Sequence, residues 1–309
     1  MTYTVTKMSD RYASISVDFE GLKHYFRTMG IESRLKKDAV YEKAVDRFLE
    51  LFESLGIKAT FFVIAEDMAG NEDKIEKIVD AGHEIGNHTL THPFGFRKMH
   101  PDKKRREILD ADEAIGDITG KKVLGFRAPC YDIDEDIIDI LEKKGYLYDS
   151  SVFPSFFNPV MNLCYHFICN GRPLGMGNYM NSLSPTDPYH PGKKLWRRGK
   201  RKILEIPITM VPFLRFPFYS TVLFSLGTGF YDISYRFVKS HRTLTYELHS
   251  IDLLGLRDDN VHHSLRNHPA MRLNLKKKTK MLTHAIEKIK GNYKILPMMD
   301  VAKRTGRWD

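Results

Sequence analysis

The chain has 309 residues, 42% of them hydrophobic, with a formal net charge of +9 and a pI near 9.2. That apolar content is enough for one sizeable core and excludes a disordered chain. Three cysteines, Cys130, Cys164 and Cys169, with no C-x-x-C pair, exclude a disulfide framework or a structural zinc cluster and point to a reducing compartment.

Residues 1–12 are polar and lack the apolar core of about 7–15 residues that a secretory signal needs. No segment reaches an uninterrupted transmembrane length, so a cytoplasmic protein is expected. Residues 12–17 are β-rich and run into Asp18-Phe19-Glu20-Gly21, where two-residue alternation places Asp18 and Glu20 on one side. Residues 39–55 read as an amphipathic helix with Val40, Ala44, Phe48, Leu51 and Leu55 on its apolar face, stopped by Gly56. Residues 59–64 read as a buried strand, 72–81 as a helix, 83–86 as extended, and 101–116 as a helix with charged outer faces. Residues 134–144 form a further helix, followed by a strand near Tyr146 and Tyr148. Such alternation of strand and helix predicts an α/β fold with a mostly parallel sheet closed into an irregular barrel. The length fits a single domain spanning 1–309, with an irregular insertion at about 153–240.

Between Asn87 and Pro93 the sequence H-T-L-T-H sets His88 and His92 four apart, the spacing that brings two side chains to one side of a helical turn. Two imidazoles and one carboxylate form a common ligand set for a hydrolytic Zn²⁺ that keeps a position open for water. Asp18 and Glu20, delivered together by one strand, are costly to bury unless a cation or an arginine compensates them. One acid then binds metal and the other acts as base.

Five separated segments carry a family resemblance. They are S-V-D-F-E-G at 16–21, H-T-L-T-H-P at 88–93, G-F-R-A-P-C-Y at 125–131, Tyr148-Asp149-Ser150-Ser151, and Glu247-Leu248-His249-Ser250. In that order they resemble the polysaccharide deacetylases with a NodB-type domain, carbohydrate esterase family four, whose fold is a deformed (β/α) barrel. The resemblance implies a metal-dependent carbohydrate N-deacetylase. It makes Glu20, His88 and His92 the ligands of a divalent metal, Zn²⁺ foremost, with Co²⁺, Mn²⁺ or Fe²⁺ as alternatives. Asp18 becomes the base, oriented by Arg127, and His249 the general acid, its tautomer fixed by Asp149. The backbone N–H of Cys130 is expected to hold the oxyanion, Leu248 to line the acyl pocket, and Tyr131 to contact substrate. The family usually has two adjacent aspartates in its first motif, whereas here Phe19 separates an aspartate from a glutamate. That spacing resembles the subgroup of allantoinase-like and lipid-linked-sugar deacylases, and it leaves an exchange of the Asp18 and Glu20 roles open.

Between 153 and 240 the regular pattern weakens. A basic run at 193–202 precedes an apolar, aromatic run from Ile203 to Phe230, within which 204–208 resembles a core strand. Positive charge beside aromatic surface suits anionic lipid headgroups. Residues 273–290 read as a terminal helix whose lysines, 276–280, lie at the surface or help hold a phosphate. No zinc finger, RNA-binding sheet signature or helix-turn-helix is present, so no nucleic acid is expected. The expected substrate is an N-acylated amino sugar, polyprenyl-phosphate-linked, met at the inner membrane face with peripheral membrane contact. A deformylase or allantoinase-like hydrolase of a small amide, and a catalytically silent glycan-binding scaffold, are the alternatives.

Overall fold

The computed structural model describes residues 11–31, 38–160, 163 and 177–308. Cys164, Cys169 and the polar stretch 1–10 lie outside the described residues. The first strand, β1 (Tyr12–Phe19), alternates Ala13, Ile15, Val17 and Phe19 with Ser14, Ser16 and Asp18. The apolar set faces the helices, and the polar set faces the inside of a curled sheet. Both faces are covered, so nearly the whole strand is buried.

Around β1 the sheet is parallel throughout. On one side β1 pairs along its length with β9 (Thr243–His249), Asp18 opposite His249. On the other side its start pairs with β10 (Lys294–Ile295) and its end with β2 (Thr60–Val63). The sheet continues through β3 (Glu84–Asn87), β4 (Gly125–Phe126), β5 (Tyr148–Asp149) and β6 (Leu204–Glu205). Helices return the chain between strands. They are α1 (Leu22–Thr28), α2 (Val45–Ser54), α3 (Glu72–Asp80), α4 (Pro101–Thr119) and α5 (Glu135–Lys144). The last is capped by Asp134, whose carboxylate accepts the Ile137 N–H. Gly125 is required by packing, since a Cβ there would lie 2.0 Å from the Tyr148 hydroxyl. Gly56, at φ +61°, takes the left-handed conformation that ends the 39–55 helical stretch.

The region expected to be an irregular insertion contributes regular structure. Besides β6 it forms a hairpin, β7 (Met210–Val211) and β8 (Phe216–Pro217), and a long helix, α6 (Ser220–Val238), broken at Gly227. No helix was expected there, because Leu226, Ile233 and Phe237 stand exposed on its outer face and Gly227 interrupts it, which blurs the amphipathic pattern. The basic run at 193–202 is partly neutralised: Arg201 pairs with Asp139 and Glu142, and Lys194 approaches Glu135, all on α5. Two helices close the chain, α7 (Leu275–Lys290) and α8 (Met298–Thr305). Within the lysine cluster at the start of α7, Lys278 is fully buried and donates to the carbonyls of Ile251 and Leu254.

Candidate metal and catalytic site

Strands of a parallel sheet deliver their C-terminal ends to one rim, and the chemistry-bearing side chains collect there. Asp18 and Glu20 leave β1 at that rim. The turn after them is pinned on three sides: Gly21 N–H donates to Asp67 (2.8 Å), Leu22 N–H to Asp38 (2.7 Å), and the Ser250 hydroxyl to the Glu20 carbonyl (2.6 Å). Burial raises the Asp38 carboxyl to about 6, although two backbone N–H groups oppose the rise.

His88 and His92 follow β3 on a loop. The helical turn expected for them is absent, because Thr89 and His92 have φ of 71° and 53°. Asn87 explains the local path. Its side-chain oxygen accepts the Thr89 N–H (2.7 Å), and its amide donates to the Ile108 carbonyl and the Tyr146 hydroxyl. The Thr89 hydroxyl then accepts the His92 N–H, and Glu107 accepts from the backbone and hydroxyl of Thr91. Both rings are thereby turned toward Glu20.

The His88 Nδ1 lies 2.7 Å from the Arg127 carbonyl, and a carbonyl can only accept. Nδ1 therefore carries the hydrogen in the neutral ring, which leaves the Nε2 lone pair facing Glu20. That Nε2 is buried without a hydrogen bond and lies 3.5 Å from Glu20 Oε1, and the His92 Nε2 is 3.3 Å from the same oxygen. The three donor atoms all lie within 4.8 Å of one another. Burial alone would raise the Glu20 carboxyl, but His92 and His88 outweigh it and hold it well below the usual range. Burial would likewise lower His88, yet Asp18 and Glu20 raise it, while His92 is lowered by burial. An orphaned imidazole nitrogen, a second imidazole and an ionised carboxylate converging in a buried spot fit a divalent cation.

Asp18 lies between the two halves of the site, with Oδ2 4.0 Å from His88 Nε2. Arg127, fully buried, donates through Nη1 to Asp18 (2.6 Å) and the Ser16 hydroxyl (3.0 Å). Its Nε and Nη2 donate to the carbonyl and hydroxyl of Ser150, and its Cζ lies 4.3 Å from the centre of the Phe62 ring. Glu247 Oε2 is 3.5 Å from the same Nη1, so one guanidinium stands between two carboxylates. Burial, followed by Asp18, pushes Glu247 up to about 6 against Arg127 and His249. The Tyr131 hydroxyl donates to Glu247 (2.5 Å), and its ring stacks on Phe153.

His249 closes the site opposite the histidine pair, with its Nε2 3.4 Å from Glu247 Oε1. Burial lowers its basicity, but Glu247 and Asp252 outweigh that and raise it. Asp252 accepts the His249 backbone N–H (2.9 Å), and the His249 side chain meets the Asp252 backbone N–H in return, a reciprocal cap on the short helical turn.

Several expected residues sit elsewhere. Asp149 does not orient His249; it accepts from Ser151 (2.5 Å) and stands beside Glu205 on the next strand, a buried acid pair in which both carboxyls are raised by burial. Leu248 alternates with Glu247 and His249, so it faces the helical layer and joins the main core rather than an acyl pocket. Cys130 follows Pro129 with φ 52°, and its carbonyl accepts the Gly177 N–H. Glu247 and Asp252 were missed. The signal for Glu247 was present, since a residue two before His249 in a strand shares its face.

Residues 35–148 match the family described as Polysaccharide deacetylase. The matched stretch contains His88, His92 and Arg127. The peptidoglycan deacetylase-like protein FGM2 of Gibberella zeae is 34% identical over 143 residues, which cover 45% of this chain and 40% of that protein. The peptidoglycan deacetylase of Helicobacter pylori is 31% identical over 118 residues, covering 38% and 40%. The chain thus matches about two fifths of the length of these relatives. Among solved structures, a Mycobacterium smegmatis protein assigned to the polysaccharide deacetylases superposes with a TM-score of 0.60 at 16% identity, covering 98% of this chain and 92% of that one. The Puue allantoinase gives 0.57 at 18% identity, covering 97% and 91%. At such identities the likeness shows the fold, a deformed (β/α) barrel.

Proposed function

We propose, from a sequence match and a barrel that both support the polysaccharide deacetylase family, that this chain is a metal-dependent hydrolase removing the N-acyl group of an amino sugar. The observation that carries the reading is one rim holding three distinct groupings: Glu20, His88 and His92; Asp18 on Arg127; and His249 opposite them. A divalent ion, Zn²⁺ foremost, held by Glu20, His88 and His92 would supply Lewis-acid polarisation of the acyl oxygen and of water.

This chain's own residues divide the remaining work. Asp18 spends Oδ1 on Arg127 and keeps Oδ2 for the proton of the attacking water. The buried guanidinium aims that carboxylate. Hydroxide adds to the acyl carbon, the C–N bond breaks, and His249 donates its proton to the leaving amine. Glu247 and Asp252 favour the protonated imidazole that this step needs. The N–H of Cys130, at a left-handed turn beside the rim, is the donor for the developing oxyanion, and Tyr131 borders the substrate.

For substrate we favour an N-acetylated or N-formylated sugar on a polyprenyl phosphate at the inner membrane face. Support comes from the D-x-E first motif and from the basic and aromatic content after residue 190. The test measures acetate and formate released by metal-loaded protein from polyprenyl-phosphate amino sugars, N-acetylated chitooligosaccharides and allantoin, with His88→Ala as the blank. Release from a sugar, lost in the variant together with bound metal, supports the reading. Full metal stoichiometry in His88→Ala removes the ligand assignment, and release from allantoin alone replaces the substrate.

A further inference from the structure

The outer surface of α6 and the neighbouring hairpin is apolar where a water-facing surface is ordinarily polar. At the hairpin tip Phe213 is 94% exposed and Leu214 65%. Along α6, Leu226, Ile233 and Phe237 are at least half exposed, and Phe230 lies in the same row. The ring of Phe216, on β8 just past the tip, meets Phe230 at 5.3 Å and joins the hairpin to the helix. Isolated exposed hydrophobes are ordinary, but a contiguous patch marks a contact surface.

Beside this patch runs a basic row. Lys276, Lys280, His284 and Lys288 are spaced four apart on α7 and therefore share a face. His284 and Lys288 both reach Asp232 on α6, at 2.8 and 2.6 Å, which sets the row against the apolar stripe. The helices run in the same direction, since Tyr231 bonds the Ala285 carbonyl and Tyr235 that of Lys288. Lysines flanking an apolar stripe, with Lys276 and Lys280 at the end of the row away from Asp232, match an anionic bilayer surface, where acyl chains lie just below charged headgroups. The surface also has a place relative to the chemistry: Tyr219, which precedes α6, lies 6.2 Å from the His249 ring.

We propose that the hairpin tip, α6 and the α7 lysines dock this protein on an anionic lipid bilayer. The proposal rests on the lipid-linked reading above and deepens it, because the start of the docking helix borders the catalytic rim through Tyr219. It also moves the membrane contact away from the basic run at 193–202, where α5 acids already occupy part of the charge.

The test is co-sedimentation with vesicles of phosphatidylcholine alone and of equimolar phosphatidylcholine and phosphatidylglycerol. It compares the wild type with three double variants: Phe213→Ser with Leu214→Ser, Ile233→Ser with Phe237→Ser, and Lys276→Gln with Lys280→Gln. The wild type should pellet with the anionic vesicles, less so at high salt, and the lysine pair should lower partition by roughly thirtyfold. Both serine pairs should also lose binding. Rates on a soluble N-acetylated chitooligosaccharide should be unchanged in all three. No pelleting of the wild type, or equal pelleting of the variants, overturns the docking surface. A wild-type dimer in light scattering that the variants convert to monomer assigns the patch to a second copy and overturns it too. Turnover of the soluble sugar reads the deacylase chemistry separately, so either proposal can fail alone.

Discussion

At the scale of single residues, the site turns on which carboxylate meets which cation. Asp18 and Glu20 differ by one methylene and one β period, yet Asp18 is spent on Arg127 and Glu20 on two imidazoles. Asp18→Asn should therefore keep metal stoichiometry while kcat falls on the order of 100- to 10,000-fold, the usual range for losing a general base. Metal analysis beside single-turnover kinetics checks this, and loss of metal in that variant would exchange the two roles. Asp252 has its own signature. If it orients His249, Asp252→Asn should lower kcat by roughly 10- to 100-fold with KM and melting temperature near wild type. A purely structural role would move the melting temperature instead. Glu247 and His249 are legible as a pair from their spacing. Asp252 is not, since the short helical turn at Ser250–Leu253 that folds it back is invisible in a strand pattern.

At the scale of elements, the framework has a pH dependence of its own. Asp259 is gripped by Arg47 at 2.6 and 2.8 Å, by Lys43, and by the Gly255 N–H, which hold its carboxyl at about 2 against burial. A folded value below the ordinary 3.8 contributes stability above pH 3.8 that is lost as pH falls toward 2. Asp259→Asn should thus cost about 1–3 kcal/mol at neutral pH, discounted because Arg47 is 27% exposed. Urea unfolding should show the gap to wild type closing between those pH values, and a gap constant with pH would refute the account. His83 adds a second window. Its Nδ1 accepts the Ala59 N–H, and burial with Lys58 lowers it to about 4, so its contribution is present above the ordinary 6.5 and lost as pH drops to 4. Most strands and helices were readable from period, because their two faces differ. The α6 helix was not, because Leu226, Ile233 and Phe237 stand on its outer face and Gly227 breaks its period.

At the scale of the whole molecule, the proposed metal site would link folding to metal binding. Glu20 at the end of β1 and the His88–His92 loop after β3 lie far apart in sequence and meet only through the curled sheet, so a cation bound there would stabilise the folded chain. Protons compete for the same imidazoles. Because His88 is raised above 6.5 and His92 lowered, metal affinity should fall progressively as pH drops below neutrality, with His88 protonating first. Competition with a chromophoric chelator measures this, and an affinity flat from pH 8 to 5 would remove imidazole from the ligand set.

Sequence alone determined the parts: strands by their two-residue period, most helices by their apolar spacing, and Asp18, Glu20, His88, His92, Arg127 and His249 by residue type and motif. These are local properties that survive without neighbours. Tertiary structure alone decided the partners. Arg127 chooses Asp18, Asp149 turns to Ser151 and Glu205, Leu248 faces the core, and Lys278 is buried, because the curl of the sheet fixes which side chains reach the interior of the barrel. It also decided that the outer row of α6 stays uncovered among the described residues, since exposure depends on what packs against a face, and a single segment does not carry that information.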